Sequence, residues 1–149
     1  QWRADGPTCV AMFQEYDRRV KMFPDESIWR PGRMVDPWVE AQGTRLRDAG
    51  CLTSTAQIIG LDSAPAAPIV ESGPAIRPIS LHVGAVSNME DEARVRAFFE
   101  ARGVRARSVG DPMLGRRVYV GPFATQGGLE DAATLARGIG FIAPYPAYF

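Results

Sequence analysis

The chain has 149 residues, of which 46% are hydrophobic, and its 17 basic side chains balance 17 acidic ones. That length allows one domain or two small ones of ordinary globular composition, and the cancelled charge leaves no long-range field to gather nucleic acid or an anionic membrane surface. No apolar run approaches the ~18 residues that would indicate a membrane span.

The sequence opens at Gln1 with no basic or apolar leader segment, which fits a mature product after signal cleavage and equally a trimmed one. From Pro7-Thr8-Cys9 onward, Val10, Met12, Phe13, Tyr16 and Val20 recur mostly at steps of three and four, the stripe of a helix packed on a neighbour. Pro24 disfavours helical geometry at Phe23 and ends it. Residues 24–35 contain Pro24, Pro31 and Gly32 and predict a loop with Ile28 and Trp29 turned inwards. Asp36-Pro37 starts a second helix, with an N-cap acceptor and a ring preset for the first turn. Trp38, Val39, Gln42, Leu46 and Ala49 continue it, and Gly50 stops it.

Cys9 and Cys51 are the two cysteines and His82 is the one histidine, so neither a four-thiolate nor a mixed Cys/His zinc site can be assembled. A structural disulfide is the better account of the pair, two buried thiols being the other, and it implies an oxidising compartment. Cys9 at the start of the first helix and Cys51 just past the second lie at one end of an antiparallel hairpin. Closing that loop stabilises the fold by about 4 kcal/mol in the chain-entropy picture.

Residues 60–76 change character. Pro65, Pro68 and Pro74 punctuate Ala, Ser and Gly, which predicts a semi-extended linker or a strap along a neighbouring surface. From Ile79 the alternation of Ile79-Ser80-Leu81-His82-Val83-Gly84-Ala85 predicts a strand. Ser87 to Glu90 has capping-box spacing and leads a helix to about Arg102. Gly103 ends that helix, Val104 to Val109 predicts a second strand, and Gly110-Asp111-Pro112 a turn. A second copy of the unit follows: a strand over Arg116 to Gly121, a turn at Pro122-Phe123, and a helix capped by Thr125. Its face is Leu129, Ala132, Ala133 and Ala136. Gly138 and Gly140 break it, and Phe141-Ile142-Ala143 reads as a short last strand. The order is βαββαβ, so the fold class is α+β: an antiparallel sheet with both helices on one side and its other side open.

Leu81-His82-Val83-Gly84-Ala85, the helix ending at Gly103, and Arg117-Val118-Tyr119-Val120-Gly121-Pro122-Phe123 together resemble a SPOR domain over residues 77–149. The resemblance implies a ferredoxin-like sheet in a bacterial envelope protein that binds peptidoglycan, favours glycan strands stripped of stem peptides, and performs no catalysis. It also implies a periplasmic location. The chain departs from the family pattern at His82, where Gln is common, at Ala85 and Val86, and at Gly127-Gly128, which interrupts the start of the second helix.

Period-two alternation assigns faces. Leu81, Val83, Val118 and Val120 point at the helices, while Ser80, His82, Arg105, Arg107, Arg117 and Tyr119 point out of the open face. Arg, His and Tyr on a shallow sheet offer donors to sugar hydroxyls and a flat surface to a ring, although a half-solvated sheet must carry polar residues in any case. His82 has no partner imidazole for a metal and no neighbouring motif for proton transfer. RNA-binding modules share the βαββαβ order, but they stack bases on two or three aromatics and this face offers chiefly Tyr119. No nucleophile elbow, phosphate-cradling loop or zinc-protease motif occurs. The acidic residues Glu90-Asp91-Glu92 and Glu130-Asp131 sit at helix starts, where the macrodipole accounts for them.

Trp2, Trp29 and Trp38, with Phe13, Tyr16 and Phe23, all fall in the first 40 residues. They form either the core of a small stapled unit or a surface for another protein. The sequence therefore predicts three parts. Residues 1–59 form a disulfide-closed helical hairpin, 60–76 a linker, and 77–149 a sheet domain. Its expected partners are peptidoglycan glycan strands, with the alternative of an accessory subunit using both modules as protein contacts in a membrane-associated complex. No cofactor, metal or nucleic acid is expected.

Overall fold

The computed structural model describes residues 3–22, 37–61, 67–110 and 115–148. The expected helix stop at Phe23-Pro24, the 24–35 loop with Ile28 and Trp29, Asp36, Trp2, the Asp111-Pro112 turn and the side chains of Val20 and Val39 lie outside the described residues. The described elements are α1 (Gly6–Met22), α2 (Pro37–Asp48), a 3-10 turn (Thr55–Gln57), β1 (Ala75–Val86), α3 (Met89–Glu100), β2 (Ala106–Val109), β3 (Arg116–Thr125), α4 (Gln126–Gly138) and β4 (Tyr145–Ala147). The four strands form one antiparallel sheet in the order β2-β3-β1-β4.

Most local signals for these elements are the ones the sequence carries, but the expected turn at Pro122-Phe123 is absent, both residues continuing β3, where Phe123 pairs with Ile79. Asp5 accepts from the Thr8 amide at 2.8 Å and opens α1. At α3 the cap is Asn88, whose side chain accepts from the Asp91 amide at 2.8 Å, one residue later than the expected Ser87 spacing. Thr125 caps α4 as expected, accepting from the Gly128 amide at 3.2 Å. Gly50 and Gly103 take positive φ of 77° and 81°, left-handed values that suit a residue without a Cβ where a helix must stop.

One side of the sheet is the core the alternation predicts. Leu81, Val83, Val118 and Val120 are buried with Val95, Phe98 and Phe99 of α3 and Leu129, Ala132 and Ala136 of α4. The last strand is displaced: it forms at Tyr145–Ala147 rather than at Phe141-Ile142-Ala143. Phe141 enters this core instead, its ring lying where a Cβ on Gly84 would stand, and Ile142 is exposed. The apolar run that imitates a strand is thus a plug over a glycine.

The other side of the sheet, expected to stand open, is covered over much of its area. Phe13 and Tyr16 of α1, Leu46 of α2, Ala49 and the Cys9–Cys51 disulfide form a second buried cluster with Ala85, Tyr119, Tyr145 and Ala147. A two-helix hairpin cannot enclose large aromatics between its own helices, so its apolar stripe is buried against the sheet. β1 is accordingly buried without interruption from Leu81 to Val86, because both of its faces are roofed. Thr53 ties the root of the hairpin to the strand, its amide donating to the Ala85 carbonyl at 2.8 Å.

Residues 67–74 run along the sheet domain as a strap. The Ile69 amide donates to the Arg102 carbonyl, and the Glu71 carboxylate accepts from the Ala124 amide at 2.5 Å. Gly127 and Gly128 make this possible, since a Cβ at either would collide with Ser72 or Glu71. This glycine pair is the seat of the strap. Ala75 and Ile76, read as linker, already belong to β1.

Candidate functional site

Cross-strand register sets a row of side chains on the hairpin side of the sheet. Arg107 of β2 lies opposite Tyr119 of β3, Tyr119 opposite His82 of β1, and His82 opposite Tyr145 of β4. Arg117 follows two residues before Tyr119 and is paired with Ala85. The alternation therefore placed His82, Arg107, Arg117 and Tyr119 on one face correctly, but α1 divides that face into a covered part and an open part.

In the covered part, Arg117 is 3% exposed and its Nη1 donates to both Asp17 Oδ1 of α1 and, at 3.1 Å, the Tyr119 hydroxyl. Tyr119 in turn donates to Asp17 Oδ1 at 2.7 Å, closing a triangle. The guanidinium also lies 4.4 Å from the centroid of the Tyr16 ring, a cation–π distance. His82 is fully buried among Phe13, Tyr119 and Tyr145, with ring centroids at 4.7, 5.0 and 4.5 Å. Neither of its nitrogens meets the geometry of a hydrogen bond to any described residue, and the same is true of Arg117 Nε and the Tyr145 hydroxyl.

Burial, and then the positive charge of Arg117, hold His82 well below its ordinary pKa, so its imidazole is neutral at neutral pH. Burial pushes the Tyr119 phenol up, Arg117 opposing, and burial with the Asp17 charge pushes Tyr145 up. The layer thus holds one carboxylate and one guanidinium amid neutral rings. It has the chemistry of anion and ring recognition: a guanidinium fork, a phenol donor and flat aromatic faces.

The open part of the face is a groove of about 140 Å³, whose lining includes Ser80, Arg107, Tyr119, Pro122 and Tyr148. Ser80 is half-buried, Arg107 is exposed, and Tyr148 is 48% exposed with the Arg77 guanidinium 4.8 Å from its ring centroid. Arg105 is exposed beside it, in a wider hollow with Ile69, Glu71 and Phe123 that shares Gly121 and Pro122 with the groove. Of the six residues predicted to face outward, Ser80, Arg105 and Arg107 are open to a ligand. His82 and Arg117 are roofed by the hairpin, and Tyr119 is buried with one side lining the groove.

Sequence reasoning missed Asp17, Tyr145 and Tyr148. Asp17 was legible, because it stands four residues after Phe13 and so shares its face of α1. Tyr145 and Tyr148 lie at or beyond β4, an edge strand that carries Pro146, where proline is tolerated.

Among the described residues no group of three or more His, Cys, Asp or Glu side chains is placed to hold a metal ion, and no helix is long and apolar enough to cross a membrane. No protein-family model, curated protein or solved structure matches the chain.

Proposed function

We propose that the chain is a non-enzymatic binding protein of the bacterial periplasm whose C-terminal half is a SPOR-like domain of ferredoxin-like topology that takes peptidoglycan glycan strands. The βαββαβ order with β1 and β3 at the centre supports that topology, and the residues that carry the family resemblance, Leu81–Ala85 and Arg117–Phe123, lie in those two central strands. The Cys9–Cys51 disulfide supports an oxidising compartment.

The observation that carries the glycan reading is the open groove. A pyranose ring offers an apolar face and a rim of hydroxyl and acetamido groups. The half-exposed Tyr148 ring supplies a flat partner for the first, while Arg77 and Arg107 supply forked donors for the second. Purified chain is expected to be retained on sacculi, more strongly after amidase treatment has stripped the stem peptides. The double variant Arg107→Ala/Tyr148→Ala is expected to lose that retention while still unfolding cooperatively, because both residues are exposed. No retention of the parent chain on stripped sacculi ends the proposal.

A second reading, a structural subunit of a membrane-associated assembly, is favoured by the roofing of His82 and Arg117 and by the apolar side chains of Ile59 and Val70, 79% and 64% exposed. Stoichiometric co-purification with membrane proteins, without retention on sacculi, selects it.

A further inference from the structure

We propose that the helical hairpin is a tethered competitor for the sheet, with the Asp17 carboxylate standing where a carboxylate of the glycan binds. This rests on the glycan reading above and concerns how that site is filled. Three observations carry it. First, the hairpin meets the polar face with an anion: Asp17 Oδ1 takes up both Arg117 Nη1 and the Tyr119 hydroxyl. A carboxylate held by a guanidinium and a phenol is the arrangement by which a protein captures a free acid. Second, the cover packs closely on the face but does not satisfy all its polar atoms. Both nitrogens of His82, Arg117 Nε and the Tyr145 hydroxyl are buried beneath it without a hydrogen-bond partner among the described residues. Polar groups arranged in a row across three strands and left unsatisfied by their cover retain an unused capacity for hydroxyl and amide groups. Third, side chains rather than a backbone ladder hold the described helices on the sheet. Among the described residues no backbone hydrogen bond joins α1 or α2 to the sheet, and the disulfide keeps the two helices together if they lift.

The chemistry of the ligand matches the anion. Cleaving a stem peptide from a glycan strand at its amide leaves a free carboxylate on the sugar that bore it, and an intact stem does not. Tyr119 connects the two parts of the face, because it lines the open groove and also donates to Asp17. A strand first held at Arg107 and Tyr148 thus has its next acid group beside the Arg117–Asp17 pair, and exchange of one carboxylate for the other releases α1. Binding then exposes Phe13 and Tyr16, which the roofed state buries.

The test uses the full disulfide-intact chain and amidase-treated sacculi, either untreated further or with their carboxylates converted to amides by carbodiimide and ammonia. Asp17→Asn keeps the side-chain shape and removes the charge. It is expected to bind the carboxylate-bearing sacculi at least about tenfold more tightly than the parent, as for removal of one charge-paired competitor, and to lose that gain on amidated sacculi. Equal binding by parent and variant overturns the competition while leaving the glycan reading intact, as does a gain that survives amidation. Absence of binding by both sinks the glycan reading and this inference with it. Amide exchange on the parent chain needs no variant: soluble stripped glycan is expected to accelerate exchange in residues 9–19 of α1 at saturation. Unchanged protection there, with the glycan bound, overturns the proposal.

Discussion

Arg117 on β3 is ion-paired with Asp17 on α1, one hundred residues earlier in the chain, and the pair is almost closed from solvent, with side chains 4% and 14% exposed. It joins the two halves of the molecule at the point where the sheet is most polar. The hairpin that supplies Asp17 buries Phe13 and Tyr16 in the same act, so one contact couples an apolar gain to a charged clasp. The balance between them sets how firmly the sheet is roofed.

Removing one member of that pair leaves the other charge buried alone. Arg117→Met is expected to lower unfolding free energy by about 3 kcal/mol, while the double variant Asp17→Leu/Arg117→Met loses less than either single change, because no charge remains to be desolvated. Urea denaturation of the four chains checks this as a double-mutant cycle. Simple additivity of the singles contradicts the clasp.

The pH dependence follows from His82, the one histidine. It faces Phe13 from α1 and Tyr145 from β4, Tyr119 and Arg117 adjoin it from β3, and Asp17 lies in the same layer. Burial, then the Arg117 charge, depress its pKa in the folded chain below the 6.5 of the free side chain. The unfolded chain therefore binds the proton first. Stability is fully present above about pH 6.5 and falls as pH drops below it towards the folded value. The thermal midpoint is expected to decline between about pH 6.5 and pH 5, and His82→Phe to flatten that decline. A parent chain equally stable across that range refutes it.

The Cys9–Cys51 bridge closes a separation of 42 residues. Its loss, as Cys9→Ala/Cys51→Ala, is expected to cost about 4 kcal/mol by the chain-entropy relation. A lower denaturation midpoint under reducing conditions reports the same effect in the unaltered chain, and the double alanine variant should show no further response to reductant.

Gly127 tests the strap. Alanine has the higher helix propensity by about 1 kcal/mol, so a free helix start would gain from Gly127→Ala. Here the new Cβ meets the Ser72 side chain and its backbone carbonyl. The variant is expected to be destabilised by about 1–3 kcal/mol, as in overpacked sites. Thermal melting decides the sign, and a stabilised variant would mean that residues 67–74 do not seat on α4.

Much of the sheet domain was legible because its signals are local. The period-two run of Leu81 and Val83, the cap at Thr125 and the stops at Gly50 and Gly103 each act within a few residues, and each recurs in the folded chain. The last strand was misplaced because Phe141-Ile142-Ala143 is apolar enough for a strand, while Tyr145–Ala147 carries a proline. What separated them was the missing side chain at Gly84, whose place the Phe141 ring takes, on an element far away in sequence.

The amino-acid sequence by itself determined the α+β element order, the inward face of each central strand, and a cysteine pair at one end of a helical hairpin. These follow from side-chain periodicity and backbone stereochemistry, which need no distant partner. Only the tertiary structure decided that the polar face is divided, with Arg107 open and His82 beneath Phe13. Alternation states which residues share a face, but whether that face meets water depends on where the aromatic stripe of α1 finds its burial, and that is a long-range competition no local pattern encodes.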